Sequence, residues 1–532
     1  MQASSDQKLA KRQKISFASA LLIVLGSCIG AGIFFKSRSV LEGSGYYLTL
    51  AIFAWVLSSF AIIAMAFSLL EISSVSTHSN NSLIEWNKRF NSQFIYKLSR
   101  NFIIFIYLPL TYFSMPLYFV QTLQDAYQAF SLTPNADFHF HLDWFIVLII
   151  VLVFVYYFAL VGLSSKLANW HNKIILVFKF LPIILVVVVS FIMFSSGGAA
   201  KLNSKPVFVD IKEIVENKES LKYTIPGFGF VLSLAAIFFT YEGFFAATGI
   251  QSEMKEPKKT PLAILFGLII VTVIYLLLAI AMSIVGDGSI SSFIYVLKND
   301  LKWNDTLISN VLGFTNIFIA LGILGILNAF TLWGPRLVEE LILQGDFKFL
   351  SKYKSKLNVE KPIVGTIILL LFSTVFIIIL FLIGTFAFID DSKYNNYGVR
   401  LDSLYSLADI LGNWSALISF AFIGIAIFGG LKNRKTNKVK VTKFKYFVPF
   451  SIISLVVIWI ILIFSIGVPI LDLLALFWIK DAQDILVPRL IKVLILVAFF
   501  AISGMPIFFE YLKNKRNVKK KKIKKKKNLQ QS

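Results

Sequence analysis

Two apolar stretches of this chain are long enough to cross a bilayer, and both are interrupted by glycine near their middles. The first contains Gly26-Ser27-Cys28-Ile29-Gly30-Ala31-Gly32-Ile33-Phe34, and the second contains Phe238-Phe239-Thr240-Tyr241-Glu242-Gly243-Phe244-Phe245. In hydrocarbon, a backbone N–H or C=O without a partner is very costly. Such breaks survive only where protein or a water-lined cavity surrounds them. Paired breaks in two halves of a chain are the sequence sign of a transporter binding site near mid-membrane.

The rest of the chain fits that setting. Its 532 residues are 57% hydrophobic and only 15% charged, and apolar runs of about 20 residues recur along it. Twelve spans are expected, at 17–41, 46–71, 102–130, 144–162, 170–196, 226–250, 262–285, 307–333, 363–388, 413–431, 446–468 and 490–511. Both termini then lie on one side. Most of the 52 Lys and Arg residues fall on that side, seven of them between Lys432 and Lys445. The positive-inside rule makes it the cytoplasm. The basic N-terminus (Lys8, Lys11, Arg12, Lys14) precedes an apolar run with no small-residue cleavage site. It reads as the lead into the first membrane helix and not as a cleaved signal. The expected location is the plasma membrane, and the Lys-, Asn-, Ile- and Phe-rich usage points to an AT-rich bacterial genome.

The expected organisation is a cytoplasmic N-terminus (1–16), a transport core (17–431, spans 1–10), two appended spans (432–512) and a basic cytoplasmic tail (513–532). An odd number of helices per half forces spans 1–5 and 6–10 to be inverted relative to one another. Each half begins with its broken helix. The segment 72–101, with Leu83, Ile84 and Trp86, is read as an amphipathic helix for the membrane interface. The lysine run 519–527 is read as a disordered topology anchor that meets anionic lipid. It has no aromatic residue to stack on a base, so no nucleic-acid partner is implied.

Other function classes find little support. Cys28 is the single cysteine, so no intrachain disulfide forms, and the four histidines show no metal-ligand spacing. No cofactor is implied. His139 and His141 lie in an outside loop and Cys28 has no nearby base, which argues against a membrane enzyme. There is no phosphate-binding Gly-x-x-x-x-Gly-Lys-Ser/Thr loop, which argues against an ATP-driven pump. An ion channel calls for a continuous polar stripe, whereas polar residues at depth here are mostly isolated.

The first break has physical consequences for ligand choice. Glycine lets the backbone leave the helix and approach a ligand closely. The N–H groups of the restarting half-helix suit a carboxylate, and the carbonyls of the preceding half suit an ammonium. An α-amino acid carries both groups. Close helix packing is the competing reading, because Gly26 and Gly30 also form a small-xxx-small pair.

These residues resemble a known family. Gly26-Ser-x-Ile-Gly30-Ala-Gly32-Ile-Phe34 is similar to the first-helix signature of the amino acid–polyamine–organocation superfamily. Phe238 to Phe244, followed by Glu253-Met-Lys-Glu-Pro257-Lys-Lys-Thr-Pro261, resembles its sixth helix and following loop, with Glu256 where Asn is usual. Leu327-Asn-Ala-Phe-Thr-Leu-Trp-Gly-Pro-Arg336 resembles the end of its eighth helix. The resemblance implies an all-α membrane protein with a LeuT-type 5+5 inverted repeat and broken helices 1 and 6. It implies secondary transport of amino acids or related amines, by proton coupling or exchange, with cationic amino acid or polyamine exchange as the alternative.

Carried over by position, backbone at Ser27, Cys28, Ile29, Gly30, Ala31 and Gly32 would hold the substrate carboxylate. Backbone at Phe239, Thr240 and Glu242 would hold the amino group, and Phe239 would be the aromatic gate. Packing is the competing role for Phe239, one of 53 phenylalanines. Lys179 lies in Val177-Phe178-Lys179-Phe180-Leu181-Pro182, ~14 Å from the cytoplasmic end of span 5 at helical rise. A charge at that depth is usually functional. The resemblance implies that its ammonium stands where sodium-coupled relatives bind a cation, between helices 1 and 8. It is then either the coupling proton's site or a fixed strut; a stabilising pair is the competing reading. Glu242 could face a cationic side chain, carry a proton, or serve a gate. Glu71 is expected as a cytoplasmic partner or gate, and Glu253 with Arg336 as an inner ion pair. Pro109, Pro116 and Pro182 should bend spans 3 and 5, and Thr111, Tyr112 and Met115 are candidates for the pocket wall.

Overall fold

The computed structural model describes residues 16–30, 32–75, 82–132, 143–195, 220–221, 228–244, 254–256, 259–285, 290–358, 361–388, 397, 399–479 and 483–530. Among them there is no β-strand. Span 1 is a bent pair, α1 (Phe17–Cys28) and α2 (Gly32–Gly43), whose axes differ by 43°. Span 2 is α3 (Leu48–Ile72), followed by short helices α4 (Ser82–Phe90) and α5 (Gln93–Phe102). Span 3 joins α5 through a π-helical turn, Ile103–Tyr107, to α6 (Leu108–Ser131). Spans 4 and 5 are α7 (Asp143–Gly162) and α8 (Ser165–Ser195). Span 6 is represented by α9 (Phe228–Thr240), and its expected remainder, 245–250, lies outside the described residues. Then follow α10 (Thr260–Val285), the short α11 (Ile290–Asn299), α12 (Asp305–Gln344) and α13 (Ile363–Phe386). The chain ends with α14 (Val399–Thr436), α15 (Phe447–Leu474) and α16 (Gln483–Gln530). By length and composition, ten helices among the described residues can cross a membrane, and the bent pair makes an eleventh.

Local sequence explains the ends of these helices. Asn304 accepts from the Leu307 N–H at 2.7 Å and caps the start of α12. Gly345, with φ +82°, closes its far end in the left-handed conformation. At 40 residues α12 is about twice the length that a bilayer needs, so it projects beyond the hydrocarbon.

The packing repeats itself between the halves. Span 1 lies on span 6, span 2 on 7, span 3 on 8 and span 4 on 9. The cross-pairs exchange in the same way. Span 1 touches 7 as 2 touches 6, span 3 touches 9 as 4 touches 8, and span 3 touches 10 as 5 touches 8. These pairs are unchanged when each span is exchanged with the one five places on, as a 5+5 repeat requires, whereas the packing of span 6 on span 10 has no equally extensive counterpart between spans 1 and 5.

Helices in lipid gain little from the hydrophobic effect against one another, so close approach through small residues carries the association. Gly365 on α13 shows this. A Cβ there would stand 2.1 Å from the Pro335 carbonyl oxygen of α12. The Gly365 N–H also donates to the Glu339 carboxylate at 3.2 Å.

Four expectations need correction. Residues 389–412 were expected as an outer loop, yet α14 begins at Val399. Arg400, Asp402 and Asp409 lower the hydropathy of that turn-rich-looking stretch, although Asp402 and Asp409 are buried in protein. The segment 334–362 was expected as a loop, and α12 occupies it up to Gln344. Segment 72–101 is not spread on lipid. Leu83 and Trp86 of α4 are buried, and Asn87 reaches the Phe422 carbonyl of α14 at 3.1 Å. The lysine tail continues α16 as helix to Gln530 instead of ending it, since lysine is a good helix former.

Gly365→Ala is expected to cost ~1–3 kcal/mol through overpacking, read as a lower unfolding midpoint of the detergent-solubilised protein. Gly467→Ala is the comparison. Nothing lies within 4 Å of its Cβ, and it should hold or raise the midpoint.

Candidate functional site

The break in span 1 faces the end of α9, and most of the carbonyls freed there can be followed to a donor. At the end of α1, Leu25 O accepts from the Ile29 N–H at 2.8 Å. Gly26 O accepts from Lys179 Nζ at 2.7 Å, and Cys28 O from the Tyr275 hydroxyl at 2.7 Å. At the end of α9, Ile237 O accepts from Thr240 Oγ1 at 2.7 Å. Phe238 O and Phe239 O accept from the Tyr241 and Glu242 N–H groups at 3.1 and 3.0 Å. Thr240 O accepts from the same Tyr275 hydroxyl at 2.8 Å. The chain then turns at Gly243, whose φ of +101° suits glycine, and a Cβ there would stand 2.7 Å from Ser27 O. Only glycine allows both the conformation and the approach. Ser27 keeps its own hydroxyl on Val24 O at 2.9 Å, and Ala31 lies outside the described residues.

Between the breaks is a cavity with about 480 Å³ of empty space, including its mouth. Cys28, Gly30 and Gly32 line it from span 1, and Phe239, Thr240 and Glu242 from span 6. Thr111, Met115 and Tyr118 of α6 form a second wall, and Ile323, Ile326 and Phe330 of α12 a third. The expected Tyr112 is not on the wall; its hydroxyl reaches Phe330 O behind it at 3.4 Å. The hydroxyls at the wall are occupied by backbone. Thr111 bonds Tyr107 O at 2.8 Å and Tyr118 bonds Ala408 O at 3.1 Å. Glu242 differs: its Oε1 is buried and has no hydrogen-bond partner. The Tyr107 hydroxyl and the Lys36 ammonium are its polar neighbours.

On one side of the cavity Phe239 is buried under a charged pair. Lys36 of α2 donates to Asp409 of α14, and both are buried. The Lys36 ammonium also lies 4.5 Å from the centre of the Phe239 ring, a cation–π distance. Tyr118 meets that ring edge-on at 6.2 Å. Gly412 makes room beside it, because a Cβ there would be 2.9 Å from the ring. Sequence reasoning missed Lys36, Asp409, Tyr118 and Tyr275. A cation near the end of a span looks interfacial, and Asp409 was hidden in the supposed loop.

Lys179 of α8 reaches across to α1 past α12. Gly325 and Gly322 admit its stem, since a Cβ at either would meet Lys179 carbons at 3.2 and 3.3 Å. Lys179 is thus buried between spans 1, 5 and 8.

At the other end of α14, Glu71 accepts from two Arg434 nitrogens, at 2.7 and 2.5 Å, and from the Phe444 N–H at 2.7 Å. That pair joins α3 to α14. Arg336 donates to Gly162 O and Ser165 Oγ, each at 3.0 Å, whereas its expected partner Glu253 lies outside the described residues. No group of three or more His, Cys, Asp or Glu among the described residues could hold a metal.

Known proteins resemble this chain in sequence and in structure. A family model described as amino acid permease matches residues 15–500. An uncharacterized protein of Mycoplasma pneumoniae is 38% identical over 543 residues, covering 95% of each chain. The serine/threonine exchanger SteT of Bacillus subtilis is 24% identical over 61% of this chain and 67% of its own. Among solved structures, MhsT in complex with L-phenylalanine aligns with a TM-score of 0.47 at 14% identity, over 84% of this chain and 98% of MhsT. A manganese transporter of Eremococcus coleocola aligns with a TM-score of 0.49 at 13% identity, over 93% of this chain and 97% of its own.

Removing one partner of the Lys36–Asp409 pair leaves the other charge buried without its counter-charge, which costs ~3–5 kcal/mol. Lys36→Met and Asp409→Asn should therefore each lower the unfolding midpoint sharply. The double variant should recover part of the loss, and a double-mutant cycle measures the coupling.

Proposed function

The chain belongs to the amino acid permease family, and from that premise we propose that it moves amino acids across the plasma membrane by alternating access. Family membership makes it a transporter. The finer reading is supported by one observation: Cys28, Gly30 and Gly32 of span 1 and Phe239, Thr240 and Glu242 of span 6 line a single cavity, and the last carbonyls of α1 and α9 meet at one hydroxyl beside it. An α-amino acid presents a carboxylate and an ammonium to such a gap. First-turn N–H groups of α2, around Gly30 and Gly32, take the carboxylate. Carbonyls at the ends of α1 and α9 take the amino group. Phe239 gates the outer path, with the Lys36–Asp409 pair above it. Both termini are cytoplasmic.

Spans 1, 2, 6 and 7 rock against a scaffold of spans 3–5 and 8–10, within the transport core 17–431. The substrate drives this only by binding the occluded state more tightly than the open ones. Lys179 couples the cycle to a proton by holding or releasing Gly26 O as its charge changes. The name of the exchanger SteT supports exchange as the other mode. A second reading, cationic amino acid or polyamine exchange, is favoured by Glu242, a carboxylate on the cavity wall whose buried Oε1 receives no hydrogen bond of normal geometry.

Proteoliposome uptake decides between these modes, across the twenty amino acids, ornithine and putrescine, with and without an imposed proton gradient. Proton coupling requires gradient-stimulated uptake that Lys179→Ala abolishes while counterflow exchange persists. Uptake that needs internal substrate whatever the gradient identifies an exchanger and leaves Lys179 as a strut. If no compound is taken up while a control transporter is active, the proposal fails. Glu242→Gln should cut uptake of cationic substrates about tenfold or more, as loss of a charge-assisted contact would, and spare neutral ones. Equal loss for both classes would remove the cationic reading.

A further inference from the structure

Tyr275 stands at the centre of α10, fully buried, and belongs to neither broken helix. Its ring is held edge-on by Trp55 at 6.1 Å and by Tyr241 at 5.0 Å. Its hydroxyl reaches Cys28 O and Thr240 O, the last carbonyl of each half-helix, at 2.7 and 2.8 Å. A phenol carries one hydrogen. Two buried acceptors therefore share a single donor, and at any instant one of them is short.

The neighbouring hydroxyls do not make up the shortfall. Thr240 Oγ1 is committed to Ile237 O, and Tyr241 forms its hydroxyl contacts with Ser59 and Thr272 at 2.7 and 2.9 Å. The Cys28 thiol, a weak donor, points to Tyr241 O at 3.7 Å. A carbonyl left short in a low-dielectric setting is costly. A primary ammonium entering the cavity brings three N–H donors.

We propose that Tyr275 is a positioning residue that ties the two breaks together: its hydrogen moves between Cys28 O and Thr240 O, and the carbonyl it leaves receives an N–H of the substrate's amino group. This rests on the reading of the cavity as the substrate site. Binding then completes a hydrogen-bond set that the fold leaves one donor short, and both half-helices register the same event through one atom. The recognised group is an amine with hydrogens to give.

The chain's single cysteine makes the test direct. Growth on [1-13C]cysteine places one carbonyl label in the protein, at Cys28, the acceptor itself. Isotope-edited infrared spectra of the full chain in liposomes are recorded with and without each of the twenty amino acids, ornithine and putrescine. Tyr275→Phe removes one oxygen and keeps the ring packing. The expected result is a labelled band that moves when a transported compound is added to the wild type. In Tyr275→Phe the KM for that compound rises about tenfold, equivalent to ~1.4 kcal/mol, with Vmax largely kept. A band indifferent to saturating substrate overturns the proposal, and that arm needs no variant. A fall in Vmax and unfolding midpoint together at unchanged KM also overturns it, since that is a structural role only. If the wild type itself transports none of the compounds, the reading of the cavity fails first, and this inference falls with it.

Discussion

The backbone carbonyl at a broken membrane helix is the constraint on which the rest depends. Lipid offers no donor, so each break must be surrounded by side chains that supply one. Here the donors that spans 1 and 6 do not supply themselves come from other helices: Lys179 from α8 and Tyr275 from α10. The breaks therefore dictate the neighbours of spans 1 and 6, and those neighbours define the cavity. The outer pair follows the same logic. Lys36 is tolerable within a span because Asp409 neutralises it and the Phe239 ring covers it.

The repeat in the packing carries this constraint to the whole molecule. Spans 1 and 6 occupy equivalent places in the two halves, so their breaks meet near the pseudo-two-fold axis. What each half supplies is not equivalent. α8 contributes a cation to the first break, while α14, its counterpart in the repeat, contributes an anion on the outer side. A symmetric scaffold thus holds an asymmetric set of charges, which a transporter with distinct outer and inner faces needs.

Much of this was legible in the chain. Three glycines within seven residues of an apolar run announce a break, and Lys179 announces itself as a charge flanked by Phe178 and Phe180. The pairwise partners were not legible. Tyr275 is one tyrosine among 19, and nothing in its local pattern says that its hydroxyl meets carbonyls 247 and 35 residues away. Asp409 was lost for another reason. Hydropathy treats a stretch of helix with three charged residues as solvent-facing, and only tertiary packing shows that Asp402 and Asp409 are buried in protein. The lysine tail erred in the opposite direction, because charge density masked a composition that helices accept.

The helix α14 bears Asp409 near its outer end and Arg434 near its inner end, on one unbroken rod, roughly 37 Å apart at helical rise. Each grips a different span of the opposing group, Lys36 on α2 and Glu71 on α3. Both grips are closed in this structure. Releasing one exposes a pair of charges, and releasing both at once exposes two pairs, so a pathway open from end to end is the most expensive arrangement available. In the proposed alternating-access cycle the rod would act as the interlock of an airlock: one door's bolt would hold while the other is drawn, and tightness against leakage would come from the same charges that allow movement.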